Sequence, residues 1–553
     1  MLSTRVAWAG LLALGSLLVA GPAAAARNDT AGWLRLETEG FTYFSNAGKS
    51  KTKAIAHELE IFRAAAGRVF PALADQGIDP TAVYLFNSEK SFRSYATERE
   101  VMGFFTGLPR RGNFIAANVG AVEPFPIIYH EYVHHLLRSN FPGVPLWLNE
   151  GMAAYFETFR VERGRAKLGL AHRGLASHLR NEPWMSLSEV LRVTNGSEAY
   201  RDPEASRGFR AQAWVLTRYL LEAKPDRGER TYDFLRLLAA GESSESALTQ
   251  AFGMNLEELQ AELRKAIGFE DLSYRFVSTK ELQVGEVPET EPIGELEVLC
   301  RLGDLLLVGE APRIVRGDEL FAAALAVEPQ YVPALLGRAT AALRLGDHEK
   351  ALPFAERAVA LEPGNPLAQF LLGDALLRQF DAGGGEIPAR GAPTPELVLR
   401  ARRAYQETLK IDPLFLRAYN QLAHTYLFAG ESIRPGIDLA RKVLDRFPDL
   451  TLAVTLVELY SKAGDRESAR RVYDEEVRSM QSSRGEEDTG WVTRAVERAD
   501  LLTARAWASD GRYEEAIRLL EELRDRSSDE ELRQDAESRI GEYRGRAGSG
   551  SGA

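Results

Sequence analysis

The feature that most constrains this chain is a tripeptide that returns at a fixed interval in its second half. Val327-Glu328-Pro329 recurs as Leu361-Glu362-Pro363, 34 residues on. Ile411-Asp412-Pro413 comes 50 residues after that, one further period plus an insertion of 16, and the Gly- and Pro-rich stretch from Asp381 to Pro395 holds the insertion. Arg446-Phe447-Pro448 follows, with Pro448 35 residues beyond Pro413. A unit of this length closed by proline is a helix–turn–helix pair, which buries its apolar face only by stacking on the next pair. Gly346, Gly464 and Gly511 each lie five residues ahead of an alanine, Ala351, Ala469 and Ala516. The glycine permits the turn, and the small alanine lets the paired helices approach. An unrelated helical bundle has no reason to keep such a period.

These residues resemble tetratricopeptide repeats. Tyr419, Leu422, Ala423 and Tyr426 look like that family's large-Leu-small-Tyr pattern on the first helix of a unit, and Leu372-Gly373 repeats part of it. The resemblance covers about 295–530 in five or six units, clearest at 331–365 and 416–449, with an insertion near 381–398. The last unit, near 496–528, lacks the closing proline. An all-α solenoid is implied, with a concave face suited to peptides or protein partners. Residues 531–553 are expected to end the last helix and run into a tail, Gly/Ser-rich and disordered from Gly545.

The first half has a different rhythm. Phe41–Ser45, Ala82–Phe86 and Asn113–Val119 are short aromatic or β-branched runs that predict strands. Lys51–Leu73 carries Ile55, Leu59, Phe62 and Val69 at helical spacing, and helices are predicted at about Ile127–Arg138 and Leu148–Arg160, with the chain mostly helical to Gly268. A small sheet followed by helices is an α+β domain. Periodicity fades from Leu272 and prolines enter at Pro288 and Pro292. This places the first domain at 27–275 and a linker at 276–294.

Residues 1–26 read as an export signal. Arg5 supplies charge, Val6–Ala20 is apolar, and small residues at Ala23–Ala26 suit cleavage before Arg27. No later stretch is apolar and long enough to span a bilayer. Cys300 is the single cysteine, which excludes an internal disulfide and a thiolate metal cluster. A periplasmic or secreted location is expected, and the lack of disulfides favours the periplasm. A net charge of −11 argues against a general nucleic-acid binder.

The chemistry-bearing segment is His130-Glu131-Tyr132-Val133-His134, an H-E-x-x-H sequence. On a helix, residues four apart share one face, so both imidazoles can reach one ion while Glu131, rotated away, can touch a metal-bound water. Neutral imidazole suits Zn²⁺, which takes three protein ligands and keeps one open position at a catalytic site. His57-Glu58 makes no such pair, because the fourth following residue is Ile61, and His135 points to another face. After a Pro-containing loop comes Trp147-Leu148-Asn149-Glu150-Gly151-Met152-Ala153-Ala154-Tyr155-Phe156-Glu157. Glu150, 16 residues beyond His134, can swing back as third ligand, with Glu157 as the alternative; Gly151, Ala153 and Ala154 would let the two helices pack closely. Tyr155, Tyr200 and His172 are candidate oxyanion donors that spacing cannot separate.

This segment resembles the gluzincin metallopeptidases, whose second motif has the form N-E-G-x-A. It is similar to peptidase-MA-like bacterial proteins, in which a small H-E-x-x-H domain precedes tetratricopeptide repeats. The resemblance spans about 35–268, with its specific motifs confined to 130–157. It implies a zincin-like fold, one Zn²⁺ on His130, His134 and Glu150, Glu131 as catalytic base, and a peptide or protein substrate. The spacing to Glu150 is shorter than in the related aminopeptidases, and their substrate-anchoring motif is absent, so aminopeptidase specificity does not carry over. The expected function is a zinc metallopeptidase, an endopeptidase of the bacterial cell envelope, with the repeats recruiting substrates or partners. The alternative is an envelope scaffold in which the repeats act and the zincin domain is structural. Asn113–Val119, if a sheet edge, could accept an extended substrate strand. Recovered from a bacterial periplasm, the chain is expected to begin at Arg27 on N-terminal sequencing. Retention of Met1 in a membrane fraction would contradict this.

Overall fold

The computed structural model describes residues 30–73, 81–96, 103–108, 112–120, 125–140, 144–194, 196–202, 204–221, 227–239, 242–267, 274–308, 311–377, 394–428, 432–447, 449–477, 480 and 490–549. The expected signal at 1–26 and the bulk of the insertion near 381–398 lie outside them. Strands β1 (Leu34–Glu37) and β2 (Phe41–Ser45) pair antiparallel, α1 (Lys49–Val69) crosses back, and β3 (Thr81–Phe86) joins β2 in parallel. After the short α2 (Glu89–Arg93), β4 (Gly103–Leu108) and β5 (Gly112–Asn118) form an antiparallel pair, with β5 parallel to β3.

The next elements build the site: α3 (Phe125–Asn140), α4 (Leu146–Phe156), β6 (Arg160–Glu162), β7 (Arg165–Leu168), α5 (Arg173–Asn181), α6 (Leu187–Arg192), α7 (Glu198–Arg201) and α8 (Ala205–Leu221). Helices α9 (Arg227–Ala239), α10 (Ser244–Phe252) and α11 (Leu256–Ile267) follow, then β8 (Arg275–Ser278) and β9 (Glu291–Pro292). The larger sheet has the order β4-β5-β3-β2-β1-β9, and a smaller one the order β6-β7-β8.

Several expectations are corrected here. Helix α4 stops at Phe156 rather than Arg160, because Arg163 and Gly164 take positive φ and fold the following residues into the β6–β7 hairpin. The stretch read as a linker instead supplies β8 against β7 and β9 against β1. Strand β5 is interior, since β4 pairs with its outer side, so β4 is the terminal strand and no substrate strand can add to β5. The end read as a disordered tail from Gly545 is helical as far as Ser549.

Period-two alternation divides the larger sheet's side chains between two cores. Phe41, Tyr43, Val83, Leu85, Ile115 and Ala117 lie in a core that includes residues of α1 and α3. Phe44, Tyr84, Phe86, Phe114 and Ala116 face the other way. There they pack with Leu299, Leu302 and Phe321 from α12 (Glu295–Leu306) and α13 (Ala311–Val327). The Arg313 guanidinium donates to the carbonyls of Tyr95 and Ala96, and Arg316 donates to that of Ser94 at 2.6 Å. The sheet and the first helix pair thus share one core.

From α12 onward the described chain is helical, in pairs. They are α12–α13, α14 (Val332–Arg344) with α15 (His348–Leu361), α16 (Pro366–Leu377) with α17 (Pro395–Ile411), and α18 (Leu416–Phe428) with α19 (Arg434–Leu444). Helices α20 (Leu450–Lys462) and α21 (Arg466–Val472), then α22 (Gly490–Ser509) and α23 (Tyr513–Arg526), continue the series to α24 (Glu530–Ser549). Gly346 turns between α14 and α15 at φ +76°, a value that disfavours a side chain, and Gly464 and Gly511 repeat the turn. Ala351, Ala469 and Ala516 are buried behind those turns, as the sequence leads one to expect.

Phe86 is 1% exposed, between Trp33 and Tyr95. Phe86→Ala is expected to lower unfolding free energy by about 3–5 kcal/mol, the usual cost of truncating a core aromatic. Urea titration followed by circular dichroism measures it, and a loss within error of zero contradicts a shared core.

Candidate metal centre

Helix α3 is shaped by one stripe of apolar residues. Ile128, Tyr129, Tyr132, Val133, Leu136 and Leu137 are all buried, and Tyr129 stacks on Phe62 of α1 with ring centroids 4.4 Å apart. This fixes the helix rotation, so His130, Glu131 and His134 emerge half-buried on the remaining face. His135 is buried and stacks on Tyr132, in keeping with a structural role. His57 is exposed on α1, while its neighbour Glu58 accepts the Tyr129 hydroxyl at 2.8 Å.

Helix α4 is apolar nearly all round, as befits a helix enclosed on every side. It packs against α3 and, more extensively, against α8. Gly151 makes the second contact possible: a Cβ there would lie 2.1 Å from Thr217 Oγ1 and 2.4 Å from the Ala213 carbonyl oxygen. The close approach at Gly151 is therefore to α8, not to α3 as the sequence implied. Its consequence is to press Glu150, 3% exposed, toward the two histidines.

The ligand atoms of His130, His134 and Glu150 all lie within 4.8 Å of one another. Glu150 Oε2 stands 3.9 Å from His130 Nε2, and Oε1 stands 3.8 Å from His134 Nε2. Both separations are too long for hydrogen bonds. They are a few tenths of an ångström beyond the ~3.4 Å that separates neighbouring ligand atoms around a tetrahedral ion with bonds of ~2.0–2.2 Å. Glu150 Oε2 has no hydrogen-bond partner, although it is buried. Arg210 Nε, 3.6 Å away, pairs with that oxygen without reaching hydrogen-bond distance, so a closer ion or donor would still satisfy it.

The outer nitrogens complete the fit. His130 Nδ1 donates to Glu157 Oε2 at 2.9 Å, and His134 Nδ1 donates to Asn149 Oδ1 at 3.0 Å. Each bond places the ring proton on Nδ1 and turns the lone pair of Nε2 inward, the tautomer a metal requires. Glu157 also accepts His172 Nε2 at 2.5 Å, while His172 Nδ1 accepts the Leu175 amide at the start of α5. The residue kept as alternative ligand, Glu157, thus orients His130 from behind and is not part of the His130–His134–Glu150 cluster.

Electrostatics follow from these contacts. Burial disfavours the charge on His130, but the Glu157 hydrogen bond and the charges of Glu150, Glu131 and Glu157 outweigh it and raise its pKa. Burial and the neighbouring His130 lower that of His134. Burial alone would raise Glu150, yet His130, His134, Arg210 and the Tyr200 hydroxyl hold it below the ordinary carboxylate value. Against the same penalty, the two imidazoles bring Glu157 down to about 2. Glu131 makes no hydrogen bond or ion pair with any described residue, and its charge is felt at His130, His134 and Tyr200.

Of the candidate oxyanion donors, Tyr200 reaches the centre, donating to Glu150 Oε1 at 3.0 Å. His172 is engaged with Glu157. Tyr155 does not reach the centre; it is buried against Gly169 and Phe70. Two residues absent from the sequence reading, Arg207 and Arg210 of α8, join His130, Glu150, Glu157 and His172 around a cleft of ≈ 290 Å³.

Fold and site together describe a helix-borne His₂Glu centre beside a mixed sheet, followed by a helical repeat array. Residues 126–239, which contain every side chain of the centre, match the family described as "Protein of unknown function (DUF1570)". Residues 332–375 match the tetratricopeptide repeat, so the repeat reading of the second half stands. No curated protein matches the chain. Among solved structures, a tetratricopeptide repeat protein from Parabacteroides merdae is 13% identical, covering 57% of this chain and 98% of that one, with a TM-score of 0.28. A thermophilic repeat protein from Thermus thermophilus is 19% identical over 44% of this chain and 97% of that one, TM-score 0.20. An O-GlcNAc transferase mutant from Thermobaculum terrenum is 20% identical over 28% of this chain; the match spans only 26% of the transferase, TM-score 0.24.

Glu157→Ala and Asn149→Ala each remove an orienting bond and leave the candidate ligands His130, His134 and Glu150 in place. Each is expected to weaken zinc binding about 10–100-fold, measured by competition with a chromophoric chelator. Unchanged affinity in both variants contradicts the assignment of Nε2 as the inward atom.

Proposed function

We propose that this protein is a zinc-dependent peptidase of the bacterial cell envelope, its tetratricopeptide repeats serving to engage protein partners or substrates. The observation that carries the reading is the Glu150 carboxylate, held 3.8–3.9 Å from two inward-turned imidazole nitrogens, with one buried oxygen that accepts no hydrogen bond. Two imidazoles and one carboxylate are the donor set of catalytic zinc, and the resemblance of 130–157 to gluzincins points the same way. A zinc ion held there would acidify a water molecule and polarise a substrate carbonyl.

The chain's own residues supply the remainder. Glu131 sits on the half-buried face of α3 with no partner among the described residues, so its carboxylate is available as a base. It takes a proton from the attacking water and returns it to the leaving amine. Glu157 and Asn149 hold the imidazoles oriented, with Nε2 of each turned inward. Burial and the Glu150 charge keep the Tyr200 phenol protonated, so it can donate to oxygen throughout. The repeats support a role in protein interaction in either case, and an export signal at 1–26 would bring the chain to the periplasm or beyond.

Glu131→Gln preserves shape and ligands but removes the base. The expected outcome is loss of peptide hydrolysis with zinc content and partner binding unchanged, read by metal analysis and fluorogenic peptide turnover. A variant as active as the parent contradicts the mechanism. A parent that binds zinc but cleaves nothing favours a scaffold with a structural metal.

A further inference from the structure

The cleft beside the centre has an unusual balance of charge. Its two acids are already committed: Glu157 accepts both His130 and His172, and Glu150 faces the ligand nitrogens. Two guanidiniums from one face of α8 remain, at positions three apart. Arg207 is exposed and makes no hydrogen bond or ion pair with any described residue. Arg210 Nε lies 3.6 Å from Glu150 Oε2, beyond hydrogen-bond reach, and its side chain is 48% exposed. An ion coordinated by Glu150 would take up the negative charge that Arg210 now faces, leaving both guanidiniums to whatever enters.

We infer that Arg207 and Arg210 form a carboxylate-recognition subsite, so that the substrate is a peptide carrying a carboxylate close to the bond to be cleaved. The inference rests on the peptidase reading for its substrate class and extends it to specificity. Guanidinium forks match carboxylates in planar, bidentate geometry, which makes arginine the side chain suited to this task. The carboxylate comes either from an acidic side chain or from the peptide's own C-terminus. Both chemistries fit two arginines on the rim of one cleft.

The test is binding, which does not depend on turnover. Zinc-loaded full-length Glu131→Gln protein is titrated with three dye-labelled peptides: one with a central Glu and an amidated end, one with a central Gln and a free end, and one with a central Gln and an amidated end. At least one carboxylate-bearing peptide is expected to bind about tenfold more tightly than the neutral one, roughly the strength of one charge-assisted contact. Preference for the first identifies an acidic side chain as the anchor, and preference for the second identifies the C-terminus. Arg207→Glu in the same background is expected to abolish or reverse the order. Equal affinity for the three peptides, or an order that Arg207→Glu leaves intact, overturns the inference. Turnover by the parent is scored separately. Cleavage without charge preference removes the subsite and leaves the peptidase reading, while charge-selective binding without cleavage does the opposite.

Discussion

Two hydrogen bonds on the outer side of a pair of imidazoles set what the rest of the site can be. With Nδ1 of His130 tied to Glu157 and Nδ1 of His134 tied to Asn149, both Nε2 lone pairs must point at the same small volume. A helix alone would bring the rings to one face but leave their orientation to chance. Glu150 then closes the third side, and its own position depends on a packing contact: Gly151 lets α4 approach α8 closely enough to hold the carboxylate. Asn149, Glu150 and Gly151 are thus three successive residues with three separate tasks: one orients His134, one completes the donor cluster and one allows the approach.

The mechanical frame for this arrangement is the larger sheet. Helix α3 is held from one face by Tyr129, Tyr132 and Val133. The opposite face is covered by α12 and α13, which begin the repeat array. The repeats therefore do more than extend the chain, since their first pair shields apolar strand residues that would otherwise meet water. A partner bound along the solenoid would be tied through packed side chains to the sheet that carries α3.

Much of this was legible in the residues. The 34-residue period announced paired helices, and the spacing of His130, Glu131, His134 and Glu150 anticipated the cluster, because ligands on neighbouring helices leave local signatures. The same logic failed where structure depends on distant pairing. Strands β1, β8 and β9 are two to four residues long and acquire their conformation from partners far along the chain. Strand β4, at Gly103–Leu108, covers the edge that β5 seemed to offer. The relay from His130 through Glu157 to His172 joins three elements, and Arg207 and Arg210 enter the cleft from α8, so no local spacing marks them. Tyr155 sits in the same motif as Glu150 but on the opposite side of α4, which explains why proximity in sequence misled.

The central claim is that one divalent ion belongs among three particular side chains. Anomalous diffraction at the zinc edge, on crystals of the full chain grown with zinc, tests it most directly. The account predicts a single strong peak at about 2.0–2.2 Å from His130 Nε2, His134 Nε2 and a Glu150 carboxylate oxygen. A peak that engages only one of these residues, or no peak between α3 and α4, would contradict it.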